Sequence, residues 1–298
     1  MPIVVNETTL TDLKVGNTDI TKVYARNGET GTYVLVFEKG GTVVINMFFG
    51  GNWKMNKIKS EIDDFFNTFN SRLDLNPTKK VVIFPPACYL DYVKSKISSA
   101  LSSMVEVGIQ NISNAAKGAF TGQISARMAF DCGCTYALIG ESEARYYLGV
   151  TDSAVHDQVL LALNNGLKPV LCVGEDLDTR EAGTSRAYIE NQLQEAIGGA
   201  LTESDVKKLI IVYEPIWAIG TGKTCSSQDA NEMCGYIKEW LTYMWGMSVT
   251  ENIPVCFGGN VKPANINDLL AQPYISGVNA GGVSLKAADF AEMINIAE

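Results

Sequence analysis

One histidine in 298 residues leaves no room for a metal site built on clustered imidazoles. That residue, His156, sits in DSAVHDQVLLAL, whose apolar spacing is helical, so it reads as a helix-face residue rather than a catalyst. Long apolar runs are also missing. No stretch of 18 or more uncharged apolar residues occurs, so no membrane-spanning helix is expected. There is no basic cluster, and 24 Lys+Arg against 33 Asp+Glu leave a formal charge of −9. That balance argues against nucleic acid or an anionic membrane as a partner, and makes each lysine in a site matter more. The seven cysteines are odd in number and form no disulfide framework, which points to reduced thiols in a cytoplasmic setting. Cys132-Gly133-Cys134 has the wrong spacing for a zinc ribbon and no second pair follows, so no metal is expected there. The opening MPIVVNETTL lacks a basic start and a long apolar segment, so no secretory leader is expected.

What is present divides into two rhythms. Residues 1–46 alternate apolar and polar positions, with turn signals at Asn27-Gly28 and Gly40-Gly41, and read as a small all-β extension of three or four short antiparallel strands. About 45 residues is marginal for an independent core, so this module is expected to lean on the main domain or on an unspecified partner. From Met47 to Glu298 short apolar runs alternate with helical patterns. MFFGGNWK precedes KSEIDDFFNTFNSRL, KKVVIFPP precedes YLDYVKSKISSAL, and the alternation continues to GVNAGG and KAADFAEMINIA. Eight such units in a span of ~250 residues predict an α/β fold, a (β/α)₈ barrel over residues 47–298. A doubly wound sheet is the alternative on rhythm alone.

In such a barrel the chemistry sits at the C-terminal ends of the strands. Those ends collect Asn52 and Lys54, Gln110-Asn111, Glu141 and Glu143, Glu214, Gly258-Gly259-Asn260, and Gly281-Gly282. Paired glycines on the last two loops fit a phosphate cradle, because backbone N–H groups approach an anion closely only where side chains are absent. Lys54 can supply positive field for the same anion. Glu214, followed by PIWAIGTGK, reads as a base beside a hinged lid. Gly220-Thr221-Gly222-Lys223-Thr224 imitates a nucleotide-binding P-loop, but the required earlier glycine is missing at Trp217, so nucleotide binding is rejected.

GGNWKMN, FTGQIS, GESEAR, CVGE, YEPIWAIGTGK, FGGN and GGVSLK, in this order and spacing, resemble the triosephosphate isomerase family over residues 47–298. The resemblance implies a (β/α)₈ homodimer that interconverts dihydroxyacetone phosphate and glyceraldehyde 3-phosphate without a cofactor. It implies that Glu214 is the base, that Lys54 binds substrate and offsets enediolate charge with Asn52 beside it, and that Glu143 supports the lysine. Gly220, Gly281 and Gly282 match phosphate-contacting positions, residues 215–223 the closing lid, and residues 110–122 the loop that inserts into the other subunit.

Several positions depart from the family pattern. Glu141 stands where the family has its electrophilic histidine. Phe257 and Asn260 replace a tyrosine and a serine, and Asn279 replaces an apolar wall over the base. Outside the pocket, Gln123 and Ala144 replace an acid and an arginine, as though a usual pairing had been dropped. Lys54 and the following helix N-terminus are expected to hold Glu141 ionised. An ionised Glu141 would repel the enediolate and occupy Lys54 in an ion pair. Two functions follow: an isomerase of reduced activity, or a barrel repurposed to bind another small anion or to serve as a scaffold for the N-terminal module.

Overall fold

In the computed structural model, residues 47–76, 78–199, 201–219 and 221–297 are described in full, together with the backbone of four N-terminal strands. The chain divides into two compact units, Met1–Ile45 and Asn46–Glu298. In the first, β1 (Leu13–Val15) pairs antiparallel with β2 (Thr18–Ile20), and β3 (Lys22–Arg26) pairs antiparallel with β4 (Tyr33–Glu38), with a bulge between Val23 and Tyr24. The turns read at Asn27-Gly28 and Gly40-Gly41 lie outside the described residues.

The second unit is a closed parallel barrel surrounded by helices. Its strands are β5 (Met47–Asn52), β6 (Lys79–Phe84), β7 (Val105–Ile109), β8 (Tyr136–Ile139), β9 (Lys168–Val173), β10 (Ile210–Tyr213), β11 (Val255–Phe257) and β12 (Gly277–Ala280). They follow one another around the barrel in chain order, and β12 closes against β5 with Asn279 opposite Gly50. The doubly wound alternative is thereby excluded, since closure leaves no sheet edge.

The short apolar runs become strands because successive side chains face opposite sides, so each strand supplies two cores. Phe48 points inward with Val82, Phe84, Tyr136, Leu138, Val170 and Val212, filling the barrel interior. Its neighbour Phe49 points outward to the helices, where Phe65 stacks on Phe69 at 5.1 Å and Phe69 on Phe290 at 5.7 Å. The aromatic spacing of KSEIDDFFNTFNSR thus serves core packing: the helix Lys59–Arg72 buries Ile62, Phe65, Phe66 and Phe69. Helix starts are set by hydroxyl and carboxylate caps, including Ser125 on Met128 N–H, Thr151 on Ala154 N–H and Ser226 on Asp229 N–H.

His156 lies on the helix Asp152–Asn164 with Nδ1 3.0 Å from the carbonyl of Ala196. All seven cysteines are free thiols. Among the described residues no cluster of His, Cys, Asp and Glu could hold a metal ion, and no helix is long and apolar enough to cross a membrane.

Candidate active site

A cleft of about 730 Å³ opens at the C-terminal face of the barrel, lined by Asn52, Lys54, Glu141, Glu214, Asn260, Asn279, Gly281 and Gly282 among others. The fold brings these together because they lie at the C-terminal ends of five strands, β5, β8, β10, β11 and β12. Glu143 joins them by its contact with Lys54. Gly220 lies outside the described residues.

Asn52 ends β5, and its Oδ1 accepts the N–H of Lys54 at 2.9 Å. Trp53 between them is fully buried and donates from Nε1 to the carbonyl of Ser284 at 3.0 Å. Lys54 therefore turns sharply, with φ of 51°, a left-handed conformation that is rare outside glycine. Gln110 fastens the turn by donating from Nε2 to the carbonyls of Lys54 at 2.9 Å and Phe84 at 2.8 Å. The lysine ammonium then meets two carboxylates, Glu143 Oε1 at 2.5 Å and Glu141 Oε1 at 3.2 Å. Burial works against the Lys54 charge, but Glu141 and Glu143 outweigh it and its pKa is raised.

Glu141 caps the helix Ser142–Leu148, its Oε2 accepting the N–H of Glu143 at 2.8 Å. Only 6% of it is exposed. Burial pushes its pKa up, with Glu143 adding to the push, while Lys54 and the capping amide pull it down. The net direction is upward. Lys54 and the helix N-terminus do pull the value down, as expected, but burial outweighs them. Desolvation disfavours the charge, and a two-turn helix offers little dipole to offset it.

Glu214 follows β10 directly and is equally buried, with 6% exposed. Its Oε2 accepts the N–H of Ser142 at 3.0 Å. Burial first, and Glu141 second, drive its pKa up to about 8, against the Ser142 amide and Lys54. A carboxyl with that value is far more basic than a surface glutamate, which suits proton abstraction near neutral pH.

The remaining wall is polar and glycine-lined. Asn279 is buried, and its Oδ1 has no hydrogen-bond partner. A Cβ at Gly50 would lie 2.3 Å from that oxygen, so the amide fits only because the paired strand carries glycine there. Asn260 is exposed at the rim, its carbonyl accepting from Asn265 Nδ2 at 3.0 Å. Gly281 and Gly282 open the short turn Gly282–Leu285, and no atom stands where a Gly282 side chain would project.

In the lid, Trp217 is buried and donates from Nε1 to the Tyr213 hydroxyl at 3.1 Å, which in turn donates to Glu175 Oε1 at 3.1 Å. Thr221 Oγ1 donates to the Trp217 carbonyl at 2.7 Å, and Lys223 pairs with Glu181 at 2.6 Å. Ile219 is 46% exposed at the cleft. Sequence reasoning missed Glu175, Tyr213 and Ser142 as members of this region. Glu175 stands in CVGE, but nothing local tells that its carboxylate meets Tyr213 on the neighbouring strand β10.

The model of the family described as triosephosphate isomerase matches residues 47–297. The chain belongs to the triosephosphate isomerase family. A triosephosphate isomerase of Rhodopirellula baltica is 40% identical over 247 residues, covering 83% of this chain and 96% of that protein. One of Acetivibrio thermocellus is 41% identical over 240 residues, covering 80% and 94% respectively, and one of Gloeothece citriformis is 40% identical over 246 residues, covering 82% and 96%. The family membership thus spans the barrel and stops short of the N-terminal unit.

Proposed function

We propose that this chain interconverts dihydroxyacetone phosphate and glyceraldehyde 3-phosphate through an enediolate, at reduced turnover. The observation that carries the reading is Glu214: a carboxyl 6% exposed, raised to about 8, in one cleft with Lys54 and two glycine-lined loops. Glu214 moves the proton between the two carbons. Lys54 holds the substrate and offsets oxygen charge, with Asn52 and Glu143 fixing its position. Gly220, Gly281, Gly282 and Asn260 receive the phosphate, and Asn279 forms the wall above the base. No cofactor is required, because the reaction only redistributes protons and electrons within the substrate. The enzyme works as a homodimer through residues 110–122, in the reducing cytoplasm that its seven free thiols suit.

Reduced turnover follows from the electrophile position. Replacing an imidazole donor by a buried acid that must first be protonated lowers the rate by about 10²-fold, the order observed when one such donor is lost. A second reading, a barrel repurposed for another small anion, draws support from the unpartnered Oδ1 of Asn279, which leaves a polar wall beside the base. A coupled assay with glyceraldehyde 3-phosphate decides between them. The isomerase reading expects turnover in the wild type and a loss of at least about 10²-fold in Glu214→Ala, the span of general-base catalysis. Wild-type rates equal to that variant's background would leave only the repurposed barrel.

A further inference from the structure

Successive residues of a barrel strand face the helices and the interior in turn, and Asn279 falls on the interior side. Its neighbours Val278 and Ala280 join the outer core, while Asn279 stands opposite Gly50 where β12 closes against β5. Two residues further along each chain come Gly281 and Asn52, and all three of Asn279, Gly281 and Asn52 line the cleft. Asn279 therefore forms the floor between the glycine loop after β12 and the strand end that carries Asn52 and Lys54.

That floor is polar and unsatisfied. Asn279 is 6% exposed, its Oδ1 has no partner, and its Nδ2 bonds to no described residue. Buried polar groups are nearly always paired, because losing water without gaining a partner is costly. An amide left unpaired on the floor of a cleft is accounted for when the ligand brings the partner. A hydroxyl suits it best. The amide presents a donor and an acceptor side by side, and half a turn of the group exchanges them. A hydroxyl both donates and accepts, so it satisfies the amide in either setting.

Counting oxygens decides which hydroxyl. A triose phosphate offers two carbon-borne oxygens and a phosphate. Lys54 and the Nδ2 of Asn52, whose Oδ1 already accepts the Lys54 N–H, address the first two. The glycine loops after β11 and β12 address the phosphate. Asn279 is left over. A sugar phosphate longer by one hydroxyl-bearing carbon carries that hydroxyl between the reacting carbons and the phosphate, above the floor that Asn279 forms.

We propose that the cleft also isomerises a four-carbon aldose phosphate, with Asn279 binding the hydroxyl on the carbon next to the phosphate-bearing one. The proposal rests on the isomerase reading and widens its substrate class. The bond changes match those of the triose. Glu214 takes the proton from the carbon beside the carbonyl, the C–H pair becomes a C–C π bond, and the carbonyl π pair moves to oxygen. The proton then returns to the former carbonyl carbon, and the hydroxyl proton crosses to the other oxygen as the second carbon becomes the ketone. No electron leaves the substrate, and the extra hydroxyl takes no part in the chemistry.

Turnover of glyceraldehyde 3-phosphate and erythrose 4-phosphate, followed by proton NMR in wild type and Asn279→Ala, tests the substrate class. Wild type turns over both, and N279A lowers the tetrose-to-triose ratio of kcat/KM by about tenfold, the order of one neutral hydrogen bond. A ratio that N279A leaves unmoved, or a wild type that isomerises the triose alone, overturns the proposal. Binding judges Asn279 apart from turnover. Calorimetry on wild type compares erythritol 4-phosphate with butane-1,2,4-triol 4-phosphate, which has the same length but lacks the hydroxyl in question. The deoxy compound binds about tenfold more weakly to wild type, and N279A makes the two equal. Equal binding to wild type means that water alone satisfies the floor, and it refutes the assignment even if N279A fails to fold. A wild type idle on both aldehydes sinks the isomerase reading instead, and the calorimetry then decides for or against Asn279.

Discussion

Glu214 is held in a place where its charge is unwelcome, and that has a consequence for folding as well as for chemistry. Its pKa is raised from 4.5 to about 8, so the folded protein holds a proton that the unfolded chain has released over that interval. Where the folded state binds more protons, stability falls as pH rises. The stabilisation is complete below about 4.5 and is lost as pH climbs through about 8. The thermal midpoint should therefore decline between those pH values, and Glu214→Gln, which cannot titrate, should flatten the decline. A midpoint in E214Q that tracks wild type across the interval would show that the carboxyl is not strained. Much at this scale was legible in the sequence: Lys54, Glu214 and the glycine pairs stand at strand ends and could be read as such. The upward shift of Glu141 was not, because burial comes from the assembled cleft, and the local neighbours visible in the sequence argued for the opposite direction.

The elements owe their placement to tolerances that few side chains meet. At the end of β9, a Cβ on Gly174 would lie 1.9 Å from the carbonyl oxygen of Glu214 and 3.2 Å from its Cβ. Gly174→Ala must therefore push the end of β10, and with it Glu214, the proposed base. Forcing such an atom into a packed core typically costs about 1–3 kcal/mol. Urea unfolding of G174A should show that loss together with reduced turnover, whereas a variant as stable and active as wild type would mean the strands yield freely. The alternation of strands and helices was readable because each unit carries a run and a period long enough to count. A helix start after Glu141 was read, but not that it ends at Leu148, since seven residues give two turns, too few for periodicity to register. The chain Trp217–Tyr213–Glu175 beneath the lid escaped for a different reason, as Tyr213 and Glu175 are 38 positions apart and meet only through the pairing of β9 with β10.

For the molecule as a whole, the barrel presents apolar groups that a soluble surface does not require. Met55 is 95% exposed, Tyr147 83%, Leu148 68% and Phe120, in the long loop after β7, 47%. Apolar groups of this size on one chain fit an interface between two copies. Sedimentation should give a dimer mass, and Phe120→Asp should shift it toward the monomer; a wild type that sediments as a monomer would remove residues 110–122 from consideration as a contact. The closed barrel needs no strand from outside residues 47–280 to complete its hydrogen bonding. Whether the N-terminal unit binds anything could not be read, since its alternating pattern specifies strands but no site.

The backbone of Lys54 carries one last implication. A left-handed φ at a lysine is a conformation that glycine would adopt without penalty, at a difference of roughly 1–2 kcal/mol. Folding alone would thus favour erasing the residue proposed to hold the substrate. In a library screened only for thermal robustness, position 54 would drift to glycine, and in one screened for turnover it would stay lysine. The two pressures can be told apart at a single codon.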